Sequence, residues 1–187
     1  MTGTAAATDA ERWVGPFRSP RNMAAEVKGS IHDDGTAQKL GFRGGTVAGS
    51  VHMDQFVPRL LDLYGDGWFQ TGVLSLYFMQ ATVDREEVQA VVETEPDRAR
   101  LSMFNPAGAQ VLTGTASPGP DPQAELAGRR DAQGAVRPAD LRILSGLTDG
   151  GEETDIPVCV TPEQLARHLE IITETTPAYA DGVLPPS

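Results

Sequence analysis

Residues 31–53, with the sequence IHDDGTAQKLGFRGGTVAGSVHM, decide how this chain folds. His32 stands ahead of a run of glycines and other small residues, and an apolar helical pattern begins directly after that run. A histidine can move a proton or orient a polar group, and unbonded N–H groups at a helix start can hold a developing anion. The stretch therefore predicts a site in which His32 works beside a helix start. The alternative is a common glycine-rich turn with an ordinary histidine, and the spacing alone leaves both open.

The pattern after this turn predicts one long central helix over residues 47–64. Six apolar side chains recur there at helical spacing, namely Met53, Phe56, Val57, Leu60, Leu61 and Tyr64. Pro58 lies inside the run and has no N–H to donate, so a bend is expected there rather than an end. A shorter helix, ended by Gly41, is predicted over residues 36–40.

Four strands are predicted after the central helix, over residues 73–83, 88–95, 98–104 and 110–117. The links between them are short and rich in turn-forming residues, which favours antiparallel neighbours. An amphipathic helix followed by such strands is buried most simply by a curved sheet wrapped around it, an α+β architecture. The sheet would keep free edges, so we expect a homodimer that pairs two chains edge to edge.

Two further regions flank this predicted domain of residues 22–118. Residues 1–21 have little periodicity and are expected to form a loosely held arm, which Trp13, Val14 and Phe17 can pin to a surface. Residues 119–187 are expected to form an acidic extension, part of it linker. Of the net charge of −11, seven units come from residues 121–187.

The clearest element of this extension is a short helix near residues 161–175. Thr161 is placed to cap it, Pro162 occupies its first position, and Gln164 can complete a capping box. Apolar side chains then share one face, at Leu165, Leu169 and Ile172. We expect this helix to dock on the body of the protein, either as plain packing or as a lid over a pocket.

Composition excludes several classes of function. The chain has 187 residues, only 15 of them Lys or Arg and scattered, so nucleic acid is not an expected partner. No apolar run approaches the roughly 20 residues of a membrane span, and no signal peptide is evident, so a cytoplasmic protein with no membrane partner is expected. Cys159 is the only cysteine, which excludes an internal disulfide and thiol-based zinc sites.

No metal or cofactor is expected either. The three histidines, His32, His52 and His168, form neither an HxxxH nor an HxH pair. The glycines of residues 41–45 lack the spacing of a dinucleotide-binding loop, and AGSVH around Ser50 is not the elbow of a serine hydrolase.

Three segments of the sequence resemble one known family. They are SIHDDGTAQKLGFRGGTVAGS at residues 30–50, GVLSLYFMQATV at 72–83 and VLTGTAS at 111–117. Over residues 22–118 the chain is similar to the MaoC-like hot-dog proteins, which include the (R)-specific enoyl-CoA hydratases and related dehydratases. The resemblance implies a hot-dog fold with a sheet wrapped around a central helix, and dimers that form one continuous sheet.

The resemblance also assigns candidate residues and shows one departure. It makes His32 the catalytic histidine, but the Asp that precedes it by five residues in the family is Val27 here. The Asn and Pro between them are Gly29 and Ser30. Val27 can neither accept nor donate a proton. Glu26 replaces the missing Asp only if a strand slips or bulges, because neighbouring strand residues face opposite sides.

Other polar residues can rebuild the site around His32. The family's His-Gly pair falls on Gly49 and Ser50, whose backbone N–H groups are the candidates for an oxyanion site. Asp33 and Asp34 follow His32, and one of them can orient its imidazole, although a capping role for Asp34 is the simpler interpretation.

Three residues farther along the chain complete the set of candidates. His52 stands in the first turns of the helix, where the dipole favours a neutral, proton-accepting imidazole, and a satisfied helix residue is the equal alternative. Tyr77 and Trp68 can line the same cavity, with aromatic core packing as the alternative for each.

Two functions follow from these residues. The first is a dehydratase- or hydratase-type lyase, or a related lyase or cyclase, that uses acid/base chemistry next to a carbonyl of a small-molecule or acyl-thioester substrate. The second is a hot-dog protein that binds a ligand and has lost the chemistry. Val27 favours the ligand-binding protein, or a lyase with altered chemistry. His32 beside the small-residue helix start favours an enzyme.

Overall fold

The computed structural model describes residues 11–133, 150–152, 154, 157, 159–174 and 176–186. These residues form one sheet and several helices. The strands are β1 (Arg12–Arg18), β2 (Val73–Phe78), β3 (Val88–Thr94), β4 (Ala99–Phe104) and β5 (Gln110–Ser117). The helices are α1 (Asp34–Lys39), a 3₁₀ helix (Gly49–Phe56), α2 (Val57–Tyr64), α3 (Trp68–Thr71), α4 (Glu125–Ala132), α5 (Pro162–Ile172) and α6 (Pro177–Ala180). Within the described ranges, no helix has both the length and the apolar character needed to cross a membrane.

The sheet is antiparallel throughout, with the strand order β1-β3-β4-β5-β2. This confirms an α+β fold with four antiparallel strands after the central helical segment. The predicted first strand over residues 73–83 is too long, because the chain leaves the sheet after Phe78. Residues near Val83 instead pair with the segment before the 3₁₀ helix, through a bridge between Thr46 and Val83 and a bond from Val47 N to Thr82 O. As a result β2 lies at the far edge beside β5, and not next to β3.

The expectation of a loosely held arm is wrong for Arg12–Arg18, which forms edge strand β1. Trp13 pairs with Val92 of β3 and packs against the core. The register shifts between Val14 and Phe17, where Pro16 has no N–H to offer. The apolar residues that were expected to pin the segment to a surface therefore belong to a strand whose outer edge is broken by a bulge.

The prediction of a single long helix over residues 47–64 is also wrong. The chain winds first as the 3₁₀ helix and becomes α-helical at Val57. Pro58 lies in the first turn of α2, where a missing N–H costs no hydrogen bond, so it begins an α-helix rather than bending one. The predicted apolar face is present, because Phe56, Val57 and Leu60 are fully buried and pack with the inner face of the sheet.

The helix predicted near residues 161–175 is present as α5 and is docked on the body. The Thr161 hydroxyl accepts from Gln164 N, and the Gln164 side-chain oxygen accepts from Thr161 N. These two hydrogen bonds confirm the capping box. Ile172 is fully buried, and its carbonyl accepts a 2.5 Å hydrogen bond from Gln55 Nε2 in the 3₁₀ helix. One element later, the Tyr179 hydroxyl donates to Asp54 Oδ1 at 3.0 Å. Two segments of the extension therefore brace the 3₁₀ helix.

Candidate functional site

His32 lies in the loop before α1 and is half-buried. Its Nδ1 is 2.7 Å from the main-chain oxygen of Thr46. A carbonyl oxygen can only accept, so Nδ1 must carry the hydrogen and the neutral ring presents its lone pair at Nε2. The main chain around the ring is fixed as well, because Asn22 Nδ2 donates to His32 O at 2.8 Å and Thr46 N donates to Ile31 O at 2.9 Å.

The glycines after α1 let this loop close on His32. A side chain at Gly45 would collide with the main-chain carbonyl of His32, so only glycine allows the two segments to approach. The N–H of Gly45 donates to Asp34 Oδ1 at 2.7 Å. Asp34 therefore holds the glycine turn, and no bond of the described residues joins its carboxylate to the imidazole.

The cap of α1 is Asp33, and not Asp34 as the simpler interpretation had it. Asp33 Oδ2 accepts from the Thr36 hydroxyl at 2.8 Å and from Thr36 N at 3.3 Å. These hydrogen bonds, together with one from Lys28, lower the pKa of Asp33 below its ordinary value. The carboxylate is thus committed to capping, and it does not orient the histidine ring.

Val27, which stands where the resembled family has its Asp, lies on the surface. Val27 is 55% exposed and lies in a series of turns, with its carbonyl accepting from Ser30 Oγ at 2.7 Å. The segment is not a strand, so the alternation argument that set Glu26 against Val27 does not apply. Glu26 is exposed and borders a cleft of about 880 Å³ that the His32 ring does not reach.

The start of the 3₁₀ helix offers backbone donors. Ala48 before it is extended and supplies no side-chain cap, and neither Gly49 N nor Ser50 N donates a hydrogen bond to any described residue. Ser50 is exposed. Phe78 at the end of β2 packs against this start, since a Cβ on Gly49 would lie 2.9 Å from the Phe78 ring. A side chain at position 49 would therefore force the Phe78 ring to move.

His52 differs from His32 in being almost completely buried. Its Nε2 is 2.8 Å from the Thr82 hydroxyl, while Nδ1 has no hydrogen-bond partner in the described structure. Desolvation lowers the pKa of His52 to about 4, although the charge of Glu86 opposes this shift. The imidazole is consequently neutral at physiological pH. Its ring centroid lies 6.3 Å from that of Phe78.

The main chain connects the two histidines. Thr46 receives the bond from the His32 ring, and the next residue, Val47, donates its N–H to the carbonyl of Thr82 at 2.9 Å. The hydroxyl of Thr82 is the partner of His52. Both imidazoles are therefore attached to the same pair of bridged segments, which brings His32, the helix start and His52 into one region.

The two aromatic candidates lie outside this region. Tyr77 points to the opposite side of the sheet from Phe78, where the guanidinium of Arg129 from α4 lies 3.5 Å from the centre of its ring. Trp68 is buried in the core, and its Nε1 donates to Ser117 O at 3.1 Å. Core or surface packing accounts for both. The aromatic residue of β2 that does lie in this region is Phe78, since the period-2 alternation with Leu74 and Leu76 puts it on the helix side of the strand, against Gly49.

Two clefts border this region of the chain. A cleft of about 880 Å³ runs along the main-chain side of the His32 loop, where Asp34 and Gly45 border it, and one of about 260 Å³ is bordered by Thr46. Neither is lined by the rings of His32 or His52. No group of three or more His, Cys, Asp or Glu side chains in the described ranges is arranged to hold a metal ion.

Several solved structures are similar to this chain. The (R)-hydratase from A. caviae involved in PHA biosynthesis shares 20% identity with a TM-score of 0.45, covering 61% of this chain and 96% of that one. The R-hydratase PhaJ1 from Pseudomonas aeruginosa shares 18% identity with a TM-score of 0.42, covering 61% and 84%. The C-terminally truncated HadBC (3R-hydroxyacyl-ACP dehydratase) complex from Mycobacterium tuberculosis shares 13% identity with a TM-score of 0.42, covering 58% and 93%. No protein-family model matches the chain, and no curated protein sequence matches it.

Proposed function

We propose that the protein is a hot-dog lyase of the dehydratase or hydratase type, acting next to a carbonyl of a small-molecule or acyl-thioester substrate. The observation that carries the proposal is the bond from His32 Nδ1 to Thr46 O. It fixes the tautomer whose Nε2 accepts a proton, and Nε2 takes part in no hydrogen bond of the described residues. A base with this geometry suits removal of a proton from the carbon next to a carbonyl.

The proposed reaction then follows from the groups near His32. Nε2 takes the α-proton, and the negative charge that develops on the carbonyl oxygen is held by the N–H groups of Gly49 and Ser50. The β-hydroxyl leaves with the proton that the imidazolium returns, so water departs and a C=C bond forms. Hydration is the reverse. The buried, neutral ring of His52 bonds the Thr82 hydroxyl on the same bridged segments and can hold the main chain beside the helix start in place.

Among the described residues, no carboxylate forms a hydrogen bond with the His32 imidazole. In the family that the sequence resembles, an Asp and the His share the work on water, whereas here Val27 is exposed and the carboxylates of Asp33 and Asp34 are engaged elsewhere. A single histidine can serve both steps of an elimination, but it positions water poorly. We therefore expect a non-standard substrate and slow hydration of crotonyl-CoA.

We further propose that a second copy of the chain completes the site. The two edges of the sheet differ, because β1 is interrupted by a bulge at Pro16 whereas β2 is regular along Val73–Phe78. Phe78 and Met79, at the end of β2, are 41% and 53% exposed. Pairing of two β2 edges would cover these side chains and place the partner beside the start of the 3₁₀ helix.

One observation favours the alternative, a ligand-binding protein without catalysis. Among the described residues, no acidic side chain touches the His32 imidazole, so the second group that hydration uses in the resembled enzymes has no evident replacement. In that case the N–H groups of the helix start would bind a carbonyl, and His32 would transfer no proton.

The decisive experiment measures proton removal itself, because it does not depend on the leaving group. The purified protein is incubated in D₂O with butyryl-CoA, with crotonyl-CoA, and with a panel of small 3-hydroxycarbonyl compounds. Proton NMR then follows α-deuteration and the appearance of a C=C bond. The proposal expects deuteration or elimination with at least one compound and its loss in His32→Gln, while His168→Gln keeps it. Binding of such compounds without any exchange would instead establish the non-catalytic alternative.

A further inference from the structure

A separate cleft of about 520 Å³ lies along one face of α5, and neither His32 nor the start of the 3₁₀ helix borders it. The residues before α5, the loop after β1 and the C-terminal tail form its other walls. Its volume is typical of a site for a small molecule. Three large apolar side chains that are about half exposed converge on it, namely Met23, Val160 and Leu184. A single exposed apolar residue is ordinary, but several around one concavity indicate a ligand.

The charge around this cleft is unusual for so acidic a protein. Among the described residues, its charged and amide lining consists of Gln164, Arg167 and His168, and none of the described lining residues is acidic. The described ranges contain 13 of the 15 Lys and Arg residues, and ten of these 13 form ion pairs. Arg167 is one of the three that do not. A guanidinium without an ion pair at the edge of an apolar cleft can receive an anionic group in bidentate geometry.

The neighbouring surface limits the size and charge of that anionic group. Arg167 also borders the cleft of about 880 Å³, together with Arg21, which likewise forms no ion pair in the described structure. Glu26 and Glu170 border the same larger cleft. These carboxylates, and the net charge of −11, disfavour a multiply charged group such as a phosphate.

We propose that the cleft on α5 binds an amphipathic monocarboxylate. The carboxylate pairs with Arg167 at the open end, and the apolar body lies on Ile171 and Leu165 between Met23 and Leu184. The site is independent of the proposed chemistry at His32. It lies on the helix that braces the 3₁₀ helix, because Ile172 next to Ile171 receives the bond from Gln55. A ligand here therefore also stabilises the folded chain.

The only cysteine of the chain gives a direct assay of this cleft. Cys159 is an exposed, free thiol that lines it. The rate at which the neutral reagent iodoacetamide alkylates Cys159 is measured by mass spectrometry with increasing octanoate, and calorimetry gives the affinity. 1-Octanol, which has the same chain length as octanoate but no charge, serves as the control. We expect octanoate to slow alkylation severalfold, and 1-octanol to slow it much less.

Two variants separate the charge from the apolar lining. Arg167→Gln should weaken octanoate binding about tenfold, because it removes a charge-assisted pair. Arg130→Gln, which alters an exposed arginine of α4 far along the sequence from the cleft, should leave binding unchanged, and thermal unfolding checks that both variants are folded. The proposal is overturned if octanoate neither slows alkylation nor binds at millimolar concentration. Equal protection by 1-octanol, or equal binding by Arg167→Gln, also overturns it. Repeating the titration in His32→Gln should give the same affinity, which separates this site from the proposed enzyme activity.

Discussion

His32 and His52 are attached to the same bridged segments of main chain, yet their surroundings give them opposite properties. His32 lies in a loop, bonds a backbone carbonyl through Nδ1 and leaves Nε2 available. His52 lies in the 3₁₀ helix, is 2% exposed, bonds the Thr82 hydroxyl and has a pKa lowered to about 4 by burial. A histidine that exchanges protons needs access, whereas a buried one stays neutral and fixes its neighbours. Under the proposed function, we therefore expect His32 to transfer the proton and His52 to hold the main chain beside it.

The largest effect should come from His32→Gln. The amide can keep a hydrogen bond to Thr46 O but cannot take up a proton, so we expect a loss of activity of roughly 100-fold or more. The readout is α-deuteration by NMR on the best compound of the panel.

The control for this change is His168→Gln, which removes a histidine of α5 and should keep nearly full activity. If His52→Gln abolished exchange and His32→Gln did not, the roles of the two histidines would be reversed.

A somewhat smaller loss is expected from Ser50→Pro. Proline removes the N–H at the second residue of the 3₁₀ helix, where its ring is tolerated, and loss of one oxyanion donor typically lowers kcat by about 10²-fold or more. Ser50→Ala is the matched control, since it keeps the N–H and should turn over normally. Equal turnover by both folded variants would remove the helix start from the mechanism.

The stability of the fold should depend on pH through His52. In the unfolded chain this histidine binds a proton with a pKa near 6.5, but in the folded protein only near 4. Between these values the unfolded state holds more protons, so the free energy of unfolding falls as the pH is lowered. From pH 7 to pH 5 we expect a contribution of about 2 kcal/mol, measured by urea unfolding.

The matching variant is His52→Gln, which cannot titrate and should lack this part of the pH dependence. His32→Gln should retain it. An identical pH dependence in His52→Gln and the parent protein would show that His52 is accessible to protons, against its burial.

A change of similar size is expected from Tyr179→Phe, which tests how the helix that carries His52 is held. Burial raises the pKa of Tyr179, so its hydroxyl stays protonated and donates to Asp54 at 3.0 Å. Its removal should cost about 1–3 kcal/mol in the free energy of unfolding. The control is Tyr64→Phe, where the hydroxyl is half-buried and its bond to Ala116 O is longer, at 3.3 Å. A larger loss for Tyr64→Phe would mean that the extension does not brace the 3₁₀ helix.

Local pattern predicted the elements of this fold better than their arrangement. The β5 strand and the capping box at Thr161 depend on alternation and on side chains within four residues, and both agree with the structure. The segment Arg12–Arg18, expected to be an arm, forms a strand because its pairing partners lie in β3, 70 or more residues away. The pattern over residues 47–64 predicts one helix because apolar side chains three residues apart share a face in both a 3₁₀ and an α-helix.

The candidate site was predicted in the same uneven way. The spacing predicts His32 beside a small-residue helix start, and the resemblance implies Gly49 and Ser50 within it. The structure brings His32, the helix start and His52 to one region. Tyr77, a lining candidate with packing as its alternative, packs against Arg129 on the other side of the strand from Phe78. Adjacent strand residues face opposite sides of the sheet. Only the packing of α4 against Tyr77 and of the 3₁₀ helix against Phe78 shows which residue faces the helix start.

The sequence by itself determined an α+β chain with an antiparallel sheet, an acidic surface and a histidine ahead of a small-residue helix start, because these follow from composition and short-range periodicity. Tertiary structure decided the properties that depend on distant neighbours. These are the tautomer of His32, set by Thr46 O, the lowered pKa of His52, set by burial beside Thr82, and the use of Asp34 as a brace for Gly45. Protonation and hydrogen bonding respond to whatever surrounds a group in space, and the order of residues along the chain does not specify those surroundings until the chain has folded.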